Sequence, residues 1–372
     1  MRVPGLRLFG RSSETGLGPI GFDLGCEQLH MLQLEREHES LRVRAAASRP
    51  YPGGRDAILS APAGLKSLVA EALRSQPFRG RKVVTVIPGD VVKLMVLNYE
   101  LAPQQSEPEL ILSLVKERIK EPLDEWVVDY HPIRPSHEKQ SELSALVAMA
   151  REDVVVKYLE LLRMAGLEVE ALEIPPVAIR RLVTRLALRD FEEDVMILHF
   201  GRDRSHLTVL WGRRLILYRE LEFGEDRAVE QVAKSLDLPQ ESAASLLLDF
   251  GVFPDAPGAG LDRASAEICE TVMEILTPAF AAVAEQIGNA LIYTASRTRG
   301  ASVDLIYLVG SIARWPGIDQ LISSLAAIPV RILDPLQAIT ARPDARLPDA
   351  GESAPGIVLA ASLALRGFGD GE

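Results

Sequence analysis

Two short stretches of the 372-residue chain carry residue types suited to phosphate chemistry. One is "IGFDLG", where an apolar run ends in Asp23 and Gly25. The other is "MILHFGRDRSHLTVLWGRRLILYREL", Met196 to Leu221, in which Gly201 opens a polar turn. Phosphate oxygens are cradled by backbone N–H groups, and only backbone without a side chain approaches them closely, so Gly25 and Gly201 are the candidate contacts. Asp23 adds a carboxylate of the kind that holds Mg2+ through its waters. A third stretch, "YLVGSIARWPG", reads strand, turn, helix; Gly310 and Ser311 stand where a helix start meets a phosphate or ribose.

Other chemistries are poorly served. The two cysteines, Cys26 and Cys269, form neither a disulfide framework nor a ligand spacing for zinc. Cys26 has no histidine visibly paired with it and reads as a small buried thiol rather than a nucleophile. A formal net charge of -11 argues against a broad nucleic-acid-binding face, which needs clustered Lys and Arg. The N-terminus shows no apolar signal region, and no run stands out as ~18 apolar residues, so the chain reads as cytoplasmic, reaching a membrane only through a partner.

The elements that must position these residues follow from hydrophobic periodicity. Alternation in "LHMLQL" and "LRVRA" after "IGFDLG" predicts a three-strand meander, and the stretch from Met196 to Leu221 repeats the plan about 175 residues later. The core is therefore expected to be duplicated. Between the meanders, "RKVVTVIPGDVVKLMVLNYEL" is split by Pro88 and Gly89. An apolar-faced helix is expected over 107–121, and "EWVVDYHPI" and "LSALVAMA" read as strands around the polar loop "RPSHEKQSE". A helix from Asp153 to Ala165 closes at Gly166, and another opens at Pro175-Pro176. The stretch from Glu225 to Arg299 reads as helical, with an irregularity at Pro278.

In this order and spacing the pieces resemble the PilM family of type IV pilus assembly proteins, within the actin-like ATPase superfamily and related to FtsA. The resemblance covers about Gly21 to Gly367 and rests on "GFDLG", "HFGRDRSHLTVLWGRRLILYREL", "EPLDEWVVDYHPI", "MAREDVVVKYLELLRMAGLEVEALEI", "YLVGSIARWPGIDQLISSLAAIPVRILDP" and "GIVLAASLALRG". It implies an α/β, actin-like (ribonuclease-H-like) duplicated core in two lobes. The first lobe would comprise 15–90 and 151–193 around an inserted α+β subdomain at 91–150. The second would comprise 194–224 and 301–367, closing helix included, around a helical insertion at 225–300. The resemblance further implies a cytoplasmic scaffold, at the inner face of the inner membrane, of the assembly platform of a type IV pilus or a related secretion system. It would grip the short cytoplasmic tail of a PilN-like membrane protein, in contact with a pilus motor ATPase or platform protein. The C-terminal "RGFGDGE" supplies no amphipathic helix of the kind FtsA uses on membranes.

ATP with Mg2+ is the ligand the superfamily implies, with Asp23, Gly25, Gly201, Gly310 and Ser311 as its contacts and Asp23 beside the metal. Several departures argue that the cleft is degenerate and the protein not an enzyme. Glu27 sets a carboxylate near an approaching phosphate. His199 stands where the pattern has an aspartate, and neutral imidazole is a poor ligand for hard Mg2+. Arg202, Asp203 and Arg204 bring long side chains that would crowd the cradle, although the two arginines could also pair with phosphate, and Ile312 puts a branched residue where adenosine would pack. Ala244, Ser245 and Leu247 occupy the stretch expected to offer an acid and a lysine. The bland readings are a turn residue for Asp23, a packed neutral histidine for His199, a helix-starting turn with a buried indole for Trp315-Pro316-Gly317, and a solvated face around Lys116 to Lys120. The alternative function is a slowly hydrolysing ATPase of the same fold that switches partner binding.

Overall fold

The computed structural model describes residues 16–25, 28–38, 40–89, 91–119, 122–133, 142–186, 194–253, 263–298, 300–345, 347 and 356–369. They form two units, one from 1–189 with 335–372, the other from 190–334.

In the first unit β1 (Leu17–Leu24), β2 (Gln28–Glu37) and β3 (Ser40–Pro50) make the expected meander, followed by α1 (Arg55–Ser60), α2 (Pro62–Ser75) and β4 (Lys82–Val86). The inserted segment holds β5 (Lys93–Glu100), α3 (Glu107–Arg118), β6 (Trp126–Ile133) and β7 (Glu142–Arg151). Then come α4 (Glu152–Met164), β8 (Glu168–Glu173) and α5 (Pro175–Leu186). The main sheet runs β3-β2-β1-β4-β8, antiparallel through the meander and parallel from β1 to β4 to β8. Both faces are covered, which is why β1 and the first part of β2 are buried almost without interruption, the polar His30 and Gln33 included. Leu65, Leu68, Val69 and Ala72 of α2 and Tyr158, Leu161 and Leu162 of α4 share one core with Ile20, Phe22, Leu29 and Met31.

The inserted segment forms its own sheet, β5-β7-β6, with Ile111 and Val115 of α3 packed on Leu97, Tyr99, Ala145, Val147 and Met149. Pro108 in its first turn and Lys116 and Arg118 in its last suit α3's ends. The helix stops at Arg118, three residues before the predicted end. The polar loop 134–141 lies outside the described residues.

The second unit repeats the first sheet. Strands β9 (Val195–Phe200), β10 (Ser205–Trp211) and β11 (Arg214–Leu221) form a meander, followed by α6 (Glu225–Leu236), α7 (Gln240–Phe250) and α8 (Arg263–Arg297). After them come β12 (Leu305–Gly310), α9 (Ile318–Ala326) and β13 (Val330–Ile332). The order β11-β10-β9-β12-β13 matches that of the first unit strand for strand. One apolar core joins Met196, Leu198 and Phe200 to Phe223, Leu276 and Phe280. α8 continues through Pro278 without a break. By length and composition it could cross a bilayer, contrary to the sequence reading, yet Val272, Leu276, Phe280, Val283 and Ile287 on one face are core residues.

The last segment corrects the expected boundaries. After α10 (Pro335–Ala338), α11 (Val358–Ala364) packs on β1, β2 and α5 in the first unit, not the second. The physical reason is Gly21: a Cβ there would sit 1.8 Å from the Ala360 carbonyl oxygen, so only bare backbone lets the helix lie on β1. The buried carboxylate Glu173 fixes the same seat, taking two hydrogen bonds of 2.9 Å from Arg181 and a third from Arg366. Ahead of α11, Thr340–Arg342 bridges the outer edge of β3 through Val43 N–H to Thr340 O and Arg342 N–H to Val43 O, each 3.0 Å.

Candidate functional site

Asp23 and Gly25 end the central strand of the first sheet. Asp23 is only 6% exposed, and the ladder sets it opposite His30 on β2. Burial pushes its carboxyl up to about 7, and the Arg55 guanidinium pulls the other way without cancelling it. The surrounding groups are fixed. Arg55 donates to the Leu24 carbonyl (3.2 Å), Tyr51 to the Gly25 carbonyl (3.1 Å), and the Tyr158 and Thr85 hydroxyls pair at 3.2 Å. His30 Nδ1 meets Ser48 Oγ at 2.8 Å. At Gly25 a side chain would press on the Gln28 carbonyl at 3.0 Å and the His30 ring at 3.2 Å, so the turn favours glycine. Cys26 and Glu27 lie outside the described residues.

In the second unit His199 takes the place Asp23 holds in the first, two residues before the turn glycine and opposite His206 on the next strand. The two rings lie 5.9 Å apart, and His206 stacks on Tyr218 (5.6 Å, 25°), its Nδ1 2.7 Å from the phenol oxygen. Nδ1 of His199 is buried and has no hydrogen-bond partner among the described residues. Burial first and His206 second push the His199 imidazole down to about 3, so it is neutral at physiological pH. A neutral imidazole brings no negative charge to a metal.

The Gly201 turn is tied down from the α6 side. The Gly201 carbonyl accepts from the Glu225 N–H (3.0 Å) and the Arg202 carbonyl from the Asp226 N–H (2.9 Å). Arg202 is paired with Asp226 at 2.8 Å, and Arg204 with Glu220. These arginines are therefore held by carboxylates of their own unit, where the sequence reading has them crowding a cradle.

Gly310 and Ser311 meet that turn. Gly310 has φ +94°, and a Cβ on it would fall 2.0 Å from the Phe200 carbonyl oxygen and 2.9 Å from the His199 ring. Ser311 N–H donates to the same carbonyl at 3.1 Å. The structure thus brings Gly201, Gly310 and Ser311 together in one unit and Asp23 and Gly25 in the other. Sequence reasoning missed Glu225, a buried carboxylate whose Oε1 lies 3.6 Å from Arg314, while Arg314 Nε donates to the Ser311 carbonyl at 3.2 Å. A glycine before an acidic helix start, Gly224-Glu225, was the available signal.

Two expectations change. Ile312 is fully buried in the core of the second unit, so its side chain points away from any ligand against the loop. Leu247 is likewise a core residue of α7 and offers no place for a solvent-facing lysine. Neither residue is evidence about nucleotide. Trp315, 1% exposed, is the packed indole of a helix-starting turn.

A model of the type IV pilus assembly protein PilM matches residues 21–368, nearly the whole chain. The chain belongs to the PilM family. A solved structure of a PilM-PilN type IV pilus biogenesis complex is 24% identical, covers 95% of this chain and 99% of its own, and superposes with a TM-score of 0.74. The ethanolamine utilization protein EutJ from Carboxydothermus hydrogenoformans is 14% identical, covering 93% of this chain and 89% of its own, with a TM-score of 0.52. The duplicated sheets of this PilM family member are those of the actin-like fold, and its assignment is to type IV pilus assembly.

Proposed function

We propose that the chain is a cytoplasmic scaffold of a type IV pilus inner-membrane platform that grips the cytoplasmic tail of a PilN-like membrane protein. The observation that carries this reading is the whole-length likeness to the PilM of a PilM-PilN complex. The inserted subdomain, 91–150, offers the grip. Its sheet has two outer strands, and Pro132 removes a donor from β6, which leaves β5 as the better acceptor of an added strand. Calorimetry of the full chain with a peptide of that tail, followed by hydrogen exchange, tests it. Protection centred on β5 supports the edge; binding with protection elsewhere moves the grip, and no binding removes the partner.

The same proposal holds the nucleotide cleft to be degenerate. Asp23 alone fits a magnesium shell, while His199 is neutral in the equivalent place and the buried Glu225 carboxylate stands beside the Ser311 loop. The second reading, an ATP-dependent switch, is favoured by the retained close approach of Gly310 to Phe200. Titration calorimetry with Mg·ATP separates them. Silence up to a few millimolar supports the scaffold, whereas binding that Asp23→Ala abolishes supports the switch.

A further inference from the structure

The end of the first unit where β1 and β4 begin gathers arginines from separate elements. Buried Gln33 ties them together: its side-chain amide donates to the Gly18 carbonyl (3.0 Å) and the Arg79 carbonyl (2.8 Å) and accepts from the Arg79 N–H (2.9 Å). Gly18 also adjoins the Phe368 ring, because a Cβ on it would come within 2.5 Å of that ring. Around the same ring Arg36 stacks at 5.4 Å and donates to the Phe368 carbonyl (3.4 Å), and Arg185 donates to the Phe368 and Gly369 carbonyls (3.4 and 3.3 Å). Arg81 is next but one to Arg79, and both are exposed.

Among the described residues the nearby carboxylates Glu35, Glu37 and Glu170 are committed elsewhere. Glu37 pairs with Arg42 and Glu35 with Arg44 and Arg342, each at 2.6 Å; Glu170 holds Lys82 at 2.8 Å, with Glu168 beside it in the ladder. Among the described residues Arg36, Arg79, Arg81 and Arg185 have no carboxylate partner. On a chain of net charge -11, these four guanidinium groups at one end are, among the described residues, a local reversal of sign.

We propose that this end docks directly on an anionic phospholipid surface. Guanidinium groups suit phosphate oxygens geometrically as well as electrically. Phe368 and Leu34 beside them are buried, so the patch offers charge without side-chain pockets, which fits a layer of headgroups better than a peptide. The contact is additional to, and independent of, the protein partner proposed above.

Co-sedimentation of the full chain with vesicles tests it in the absence of any partner. Binding is expected to vesicles containing phosphatidylglycerol, not to phosphatidylcholine alone, and to fall as salt rises. Each arginine removed should weaken it roughly fivefold, so Arg79→Gln with Arg81→Gln should lose about 25-fold. Among the described residues those two side chains have no partner to lose, and an unchanged melting temperature confirms the fold. No binding to the anionic vesicles at low ionic strength, or binding undiminished in the double variant, overturns the proposal. Retention on polyglutamate without vesicle binding also overturns it and gives the patch to an acidic protein segment.

Discussion

β1 and β9 are the same strand twice: each is central in a sheet of the same order, and each ends one residue after a polar side chain that faces a histidine across the ladder. In one unit that side chain is Asp23, in the other His199. Both are buried, and burial drives both toward neutrality, raising the acid and lowering the base. The duplicated backbone thus keeps one form in both halves, while the chemistry of the halves has parted. The support differs too. The first sheet seats its closing helix on an ionic cluster, Glu173 with Arg181 and Arg366, whereas the second packs on aromatic rings, Phe200, Phe223 and Phe280 meeting edge to face.

The largest effect is expected where that support is ionic. Glu173→Ala leaves Arg181, 4% exposed, without its carboxylate, and should cost about 3–5 kcal/mol in denaturant unfolding. A loss under about 1 kcal/mol would mean that α11 is held by apolar contacts alone.

Next comes the pH dependence of Asp23. Because its folded carboxyl titrates near 7 and an unfolded one near 4, the folded state holds the proton more tightly; stability is greatest below about pH 4 and falls as pH rises to 7. Asp23→Asn should remove that fall, gaining on the order of 3 kcal/mol over wild type between pH 4.5 and 7.5. Parallel stability curves for the two proteins would show an ordinary carboxyl and erase the contrast with His199.

The sequence made the architecture legible because duplication leaves a pattern: two period-2 meanders at a fixed offset specify two like sheets. The exit helix was legible from Pro175-Pro176 and the end of α4 from Gly166. Side-chain direction was not. Ile312 and Leu247 stand near a candidate ligand in the linear order, yet a turn of a few degrees decides whether a side chain meets ligand or core, and both meet core. The seat of α11 was hidden for a related reason. Gly21 reads only as part of the apolar run before Asp23, but its function is to admit a helix that is 337 residues later and beyond the second unit. Glu225 was missed because its contacts are with Arg314, far along the chain.

A smaller effect tests the join between Gly310 and the Gly201 turn. At φ +94° and 2.0 Å from the Phe200 carbonyl, a methyl group must displace backbone, so Gly310→Ala should cost about 2 kcal/mol. A neutral outcome would show that this loop moves freely from the hairpin, and the close approach favouring the switch reading would lose its force.

The most specific test comes last. His199 is lowered to about 3 when folded and titrates near 6.5 when unfolded, so the unfolded state takes up the proton first; its contribution is complete above about 6.5 and is lost as pH falls toward 3. That is the opposite sign to Asp23 over an overlapping range, and in wild type the two partly cancel. His199→Gln should therefore steepen the decline of stability between pH 4.5 and 6.5 that Asp23→Asn flattens. Tyr218→Phe, which removes the hydroxyl from His206 Nδ1, should leave that slope nearly unchanged, since His206 is only the secondary cause of the His199 shift. If His199→Gln leaves the pH profile of wild type intact, the imidazole is open to water when folded, and the two halves differ in residue type but not in the electrostatic state that burial was argued to impose.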